Sequence, residues 1–95
     1  MNYKITKEAE SDIITIHQWG VMRYGEIQAD KYYWGLFNQL EKIAHSPLLY
    51  PAVNDIREGY RRSIYGSDHI YYRITSDSKV EITRIIGQQD ISKII

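Results

Sequence analysis

At 95 residues the chain is long enough for one domain with one core, so residues 1–95 are expected to form a single domain. The absence of cysteine excludes disulfides and thiolate metal sites, and the formal net charge of +0 argues against a protein that coats nucleic acid or binds a nucleic-acid sequence directly. The sequence has no apolar run near the roughly 20 residues of a membrane span and no signal-peptide pattern, so we expect a cytoplasmic protein without membrane contact.

The first half of the chain predicts a short strand and two helices. Residues 2–6 alternate as a strand. Apolar residues then recur at three- and four-residue steps over residues 7–24 and again over 26–45, which predicts two amphipathic helices. Gly25 between them is typical of a helix C-terminal cap, so the helices should form a hairpin. The apolar stripes are Ala9, Ile13, Ile16 and Gly20 in the first helix and Ala29, Tyr33, Leu36, Leu40 and Ile43 in the second.

The second half predicts three antiparallel strands. Segments 60–65, 69–75 and 79–86 alternate apolar and polar residues, and turn residues separate them. The expected fold is therefore α+β, with the order β-α-α-β-β-β and the helical hairpin packed on one face of an antiparallel sheet. Strand 2–6 should join this sheet at an edge or beside the last strand.

The last strand contains an irregularity. Val80 and Ile82 share one face, and strict alternation would place Arg84 beside them and Ile85 on the opposite face. Either a β-bulge corrects the register or Arg84 lies at the rim of the covered face.

Arginines are concentrated in this sheet region, because residues 56–86 hold five of the six in the chain. Arginine suits planar recognition of carboxylate or phosphate, so the sheet is a candidate surface for an anionic target. We nominate Arg61 and Arg84 as the main target-binding residues. The alternative is that each holds the fold by pairing with an acid or with backbone carbonyls. Supporting residues are Tyr60, Arg57 and Gln88, whereas Arg62 and Arg73 are interpreted as solvated.

Apolar residues outside the two stripes form a second candidate surface. One sheet cannot bury both sides of both helices, so the surplus indicates an exposed partner-binding patch. The alternative for some of these positions is the interior of a tight hairpin. The nominated partner-binding residues are Trp19, Trp34, Ile14, Met22 and Phe37.

Four segments, in this order and spacing, resemble the ParE/RelE toxins of bacterial toxin–antitoxin systems, and the ParE branch in particular. They are the inter-helix segment 24–32, the strand entry 56–61, and the strands 69–72 and 82–86. The resemblance implies the toxin of a type II system that traps the cleaved-DNA complex of DNA gyrase. It also implies a partner, a ParD-like or similar antitoxin whose disordered tail wraps around the toxin and neutralises it.

Two other functions stay open under this resemblance. RelE-like relatives cut messenger RNA on the ribosome with basic residues and a tyrosine near the C-terminal tail, but residues 87–90 offer none of these. Arg61 and Arg84 could supply charge but not proton transfer, because arginine stays protonated. We therefore expect no catalytic residues, no cofactor and no metal, since the three histidines also lack metal-ligand spacing. The third possibility is an inactive family member that only binds antitoxin.

Overall fold

The computed structural model describes residues 3–87, which form an α+β fold with the predicted order of elements. Both helices have the predicted bounds, and the predicted strands differ from the observed ones by one residue at most. The elements are β1 (Tyr3–Ile5), α1 (Lys7–Tyr24), α2 (Glu26–His45), β2 (Tyr60–Tyr65), β3 (Asp68–Ile74) and β4 (Val80–Gly87). No helix in this described part is long and apolar enough to cross a membrane.

The sheet is mixed rather than wholly antiparallel. Its strand order is β1-β4-β3-β2, and β1 lies at the edge beside the last strand, as expected. However, β1 pairs parallel with β4, whereas β2, β3 and β4 form the predicted antiparallel meander. The expectation of an antiparallel sheet was wrong for β1, because almost the whole chain separates β1 from β4 and no hairpin imposes a direction on the pair.

Local hydrogen bonds explain where the helices begin and end. The Thr6 hydroxyl accepts the amide of Ala9 at 3.1 Å and thereby caps α1. Gly25 has a φ of 89°, and its amide donates to the Val21 carbonyl, which ends α1 and allows the reversal into α2.

The main core lies between the helical hairpin and one face of the sheet. It contains the predicted positions Ala9, Ile13, Leu36, Leu40 and Ile43 of the helices. From the sheet it contains Ile70, Tyr72, Val80, Ile82 and Ile85. The predicted apolar stripes are therefore the buried faces of both helices.

A β-bulge in β4 resolves the irregular alternation. Tyr71 of β3 pairs with Arg84, whereas the next residue, Tyr72, pairs with Ile82, so Thr83 is the extra residue. The bulge places both Ile82 and Ile85 in the core beneath the helices. It thus confirms the first of the two alternatives stated for this strand.

The second face of the sheet, which we call the outer face, carries a smaller apolar cluster. Tyr71 and Ile86 pack there with Val53, and Ile56 and Tyr60 pack around them. Val53 belongs to the loop between α2 and β2, and its amide donates to the Tyr60 carbonyl. This loop therefore covers part of the outer face.

Candidate functional site

The helical hairpin exposes large apolar side chains on both helices. Trp19 is 60% exposed and Trp34 is 65% exposed, and Ile14 and Met22 are exposed as well. Phe37 differs, because it is partly buried and packs against the core. Four of the five nominated residues are thus accessible to a partner, together with Tyr24 and Ile27, which were not nominated.

A groove of about 790 Å³ adjoins these residues, between the helices and the end of β4. Trp19 and Tyr24 line it from the hairpin, and Ile85 and Arg84 line it from the sheet. The groove wall also holds Tyr32, whose hydroxyl donates to Asp68 Oδ2 at 2.7 Å. Burial, strengthened by the negative charge of Asp68, raises the pKa of Tyr32, so the hydroxyl stays protonated and ties α2 to the β2–β3 turn.

Arg84 joins β4 to α1. Its Nε donates to Asp12 Oδ2 at 2.8 Å, and its second terminal nitrogen donates to Asp12 Oδ1 at 3.0 Å. The same carboxylate accepts the backbone amide of Ile85 at 2.9 Å. The hydrogen bonds to Asp12 raise the pKa of Arg84. This nominated target-binding residue therefore has an acid partner within the fold.

Arg61 has a backbone partner instead. Its guanidinium donates to the Tyr50 carbonyl at 2.6 Å, and its register partner on β3 is the core residue Tyr72. The Tyr72 hydroxyl donates to the Pro47 carbonyl in the same loop, and burial raises the pKa of Tyr72 to about 12. Arg61 and Tyr72 together fix this loop, which presents Leu48 to solvent.

The supporting residue Tyr60 directly precedes Arg61 in β2 but packs on the outer face of the sheet. The Arg57 guanidinium lies 5.0 Å from the ring centroid of Tyr60, a cation–π contact at the entry to β2. Gln88 lies outside the described residues. The structure therefore brings Arg57 and Tyr60 together at the outer face but does not gather all five nominated residues into one site.

The outer face also carries Arg62 and Arg73, which were interpreted as solvated from the sequence; this was wrong for Arg62, whose Nε is buried. Arg73 forms an ion pair with Glu81 at 2.7 Å, across two neighbouring strands. Arg62 pairs in register with Tyr71, and its Nε is buried without a hydrogen-bond partner among the described residues. Arg61 and Arg62 are successive residues of a strand and so point to opposite faces, but the sequence does not indicate which of the two faces the helices cover.

His69 is a further titratable residue on the outer face of the sheet. Its Nδ1 lies 3.2 Å from the Tyr71 hydroxyl, and both side chains are buried. Burial, helped by the positive charge of Arg62, lowers the pKa of His69, so the ring is neutral near pH 7. Within residues 3–87 no cluster of histidine and acidic side chains is arranged to hold a metal ion.

Comparison with known proteins places this arrangement in one family. Residues 3–91 match the family described as the ParE toxin of the type II toxin–antitoxin system parDE. The chain is 33% identical to Toxin ParE1 of Caulobacter vibrioides over 86 residues, which cover 90% of this chain and 88% of that protein. It is 28% identical to Toxin ParE1 of Mycobacterium tuberculosis over 87 residues, which cover 92% and 89%.

A solved structure shares the fold. It is titled as the chromosomal ParDE toxin–antitoxin system from P. aeruginosa, and it superposes with a TM-score of 0.79 over 92% of this chain and 95% of that chain, at 19% identity. The helical hairpin on a four-stranded sheet is thus a known architecture of such systems. With the match over residues 3–91 and the relative of 33% identity, it follows that the chain belongs to the ParE toxin family of type II toxin–antitoxin systems.

Proposed function

We propose that the chain arrests bacterial growth by inhibiting DNA gyrase in the cytoplasm and that a ParD-like antitoxin neutralises it by covering the helical hairpin. Membership of the ParE family supports the toxin role. The observation that carries the partner is the exposure of apolar side chains on both helices, including Trp19 and Trp34. Large aromatic side chains that are accessible in the free protein commonly anchor a protein interface.

The groove beside these residues supports an antitoxin segment that folds on the toxin. Its lining combines aromatic rings, such as those of Trp19 and Tyr32, with polar groups at Asp68 and Arg84. An amphipathic segment would bury its apolar residues against the rings and place its polar residues at the rim. The similar structure from P. aeruginosa, titled as a ParDE system, supports a partner of the same kind here.

The burial and the hydrogen-bond partners of the side chains that could take part in RNA cleavage support inhibition by binding instead. RNA cleavage needs an accessible acid and base beside the scissile phosphate. His69 and Tyr71 are side chains on the outer face that could act as acid and base, but both are buried. Arg61 and Arg84 donate to partners within the fold. A protein that acts by holding its target needs none of these groups for proton transfer.

Tryptophan fluorescence tests the antitoxin surface. The chain has two tryptophans, and both are exposed, so burial by a co-encoded antitoxin should shift their emission to shorter wavelength. Trp19→Phe and Trp34→Phe each leave one reporter, which assigns the shift to a helix. Ile74→Ala, on the sheet, is the control and should bind normally. Tight binding with no change in either tryptophan would place the antitoxin elsewhere.

Induction of the chain in bacteria tests the target. We expect growth arrest with accumulation of cleaved DNA bound to gyrase, loss of plasmid supercoiling, intact messenger RNA, and rescue by the antitoxin. Codon-phased messenger RNA cuts within minutes would identify a RelE-like nuclease instead. Normal growth with a folded, antitoxin-binding protein would identify an inactive family member.

A further inference from the structure

Asp68 is a carboxylate in the wall of the groove that has no cationic partner within residues 3–87. It begins β3, it is 9% exposed, and it lines the groove together with Tyr32 and Gly87. Its Oδ2 accepts the hydroxyl of Tyr32 at 2.7 Å. None of the ion pairs in this part of the chain includes it, whereas Asp12 on the same wall is paired with Arg84. The partner that Asp68 does have is therefore a neutral hydroxyl.

The second carboxylate oxygen of Asp68 is open to the groove. Oδ1 accepts no hydrogen bond from residues 3–87. It is nevertheless not fully buried, because Arg62 Nε is the one fully buried side-chain polar atom without a partner in this part of the chain. The register partner of Asp68 on β4 is Gly87, which has no side chain to cover the carboxylate. A group that enters the groove can thus reach Oδ1.

The charged side chains of the groove wall leave one negative charge uncompensated. Arg84 and Asp12 cancel each other in their ion pair. His17, which also lines the groove, lies 2.7 Å from a carboxylate oxygen of Asp30. Asp68 remains, so an occupant of the groove meets a net negative charge at this end.

Aromatic rings line the same groove. Trp19 and Tyr24 are exposed there, and the ring of Tyr32 carries the hydroxyl that holds Asp68. Aromatic faces attract cations, and the long stems of lysine and arginine pack on apolar surface while their charged ends bind elsewhere. A carboxylate beside several rings therefore suits a basic side chain better than a neutral or acidic one.

We propose that Asp68 binds a lysine or arginine of the antitoxin segment that occupies the groove. The inference rests on the proposed function and adds the charge that the partner brings to this site. A segment with a neutral residue at this position would bury the carboxylate without a counter-ion, which costs free energy. Asp68 would thereby discriminate between antitoxins that carry the basic residue and those that do not.

The alternative is that Asp68 serves only as the acceptor for Tyr32, and Asp68→Asn separates the two roles. The amide oxygen of asparagine can still accept the Tyr32 hydroxyl, but the charge is lost. We expect the melting temperature to stay within about 5 °C of the wild type, because no cation of the described fold loses its partner. The matched control is Asp77→Asn, which makes the same change of charge at an exposed position in the turn that follows β3.

The first test measures the affinity of the purified chain for the co-encoded antitoxin. Asp68→Asn should bind about tenfold more weakly, and Asp77→Asn should bind as the wild type does. Each basic residue of the antitoxin is then replaced with glutamine. One replacement should weaken binding to the wild type but have little further effect on Asp68→Asn, as a double-mutant cycle requires for a direct pair. Equal affinity of Asp68→Asn and the wild type, or no coupled basic residue, would overturn the proposal.

Lys93, which lies beyond the described residues, tests whether the chain supplies the cation itself. Lys93→Gln should bind the antitoxin as the wild type does, and the effects of Lys93→Gln and Asp68→Asn on urea unfolding should add. A coupling between the two substitutions in the free protein would assign the cation to the chain rather than to the antitoxin, and the proposal would fail.

A peptide probe makes Asp68 testable without the antitoxin. The probe is a short peptide of alternating arginine and leucine, and its counterpart has the neutral isostere citrulline in place of arginine. We expect the arginine peptide to change tryptophan fluorescence saturably and to bind Asp68→Asn about tenfold more weakly than the wild type or Asp77→Asn, whereas the citrulline peptide should not distinguish the three. If the antitoxin does not bind the wild type, the proposed function fails. Equal binding of the arginine peptide to all three proteins refutes the cation site alone.

Discussion

Removal of the Asp12 carboxylate should eliminate the hydrogen bonds that attach α1 to the bulge in β4 and so destabilise the fold. Asp12 accepts two hydrogen bonds from Arg84 and one from the Ile85 amide, at 2.8 to 3.0 Å. Asp12→Ala leaves a partly buried guanidinium and an amide without this acceptor. Hydrogen bonds to charged groups contribute roughly 1.5–3 kcal/mol each when buried. The two side chains are 16% and 29% exposed, so water replaces part of this loss.

We therefore expect Asp12→Ala to lower the free energy of unfolding by about 2–3 kcal/mol in total. For a domain of this size that corresponds to a fall of roughly 10–20 °C in melting temperature. Asp12→Asn should cost less, because its amide oxygen can still accept the Ile85 amide. Asp30→Ala is the control: it removes the exposed partner of His17 on α2 and should cost no more than about 0.5 kcal/mol.

A double-mutant cycle with Asp12→Ala and Arg84→Met isolates the pair from other interactions of Arg84. The coupling energy from urea unfolding should be about 1–2 kcal/mol. A coupling near zero would refute the structural account of Arg84. If Arg84→Met then also kept its stability but lost growth arrest, Arg84 would return to the role that the sequence first suggested, contact with the target.

Three further outcomes are expected. Leu40→Ala, in the fully buried core, should cost roughly 2–5 kcal/mol of unfolding free energy in urea titrations, whereas Ile27→Ala, at a position 81% exposed, should change it by less than about 0.5 kcal/mol. Burial lowers the pKa of His69 below its ordinary 6.5, so His69 binds a proton more readily in the unfolded chain than in the folded one. Stability should therefore decline as the pH falls below 6.5, and His69→Gln should decline less between pH 7.5 and 5.5 in the same titrations. Gly35→Ala should lower the melting temperature despite the better helix propensity of alanine, since its Cβ would collide with the Tyr65 hydroxyl; an unchanged melting temperature would mean that Tyr65 moves aside freely.

Local patterns were sufficient to predict most of the fold. Three- and four-residue apolar spacing and Gly25 between the helices predicted the bounds of both helices. Alternation and turn residues predicted the meander, and the irregular position of Arg84 relative to Ile85 raised a bulge as one of two explanations, which the strand register confirms. Each of these signals lies within one element or one turn, where side-chain periodicity follows directly from backbone geometry.

Features that depend on distant pairing had no such signal. The parallel direction of β1 depends on its pairing with β4, and the two strands lie near opposite ends of the sequence. Asp12 and Arg84 are 72 residues apart, and neither position alone indicates the ion pair. The sequence could state that Arg84 had either a structural or a functional role, but only the tertiary contact supplies its acid partner.

The neighbours Arg61 and Arg62 show why composition misleads about the candidate site. A concentration of arginines in a sheet suggests one cationic surface, but successive residues of a strand point to opposite faces. Arg61 therefore reaches the loop carbonyl of Tyr50 on the helix side, and Arg62 remains on the outer face without an acceptor among the described residues. Arg73, on the outer face, and Arg84 are paired with acids in neighbouring elements. The number of arginines thus overstates the free positive charge of the sheet, because acids within the fold already pair with two of them.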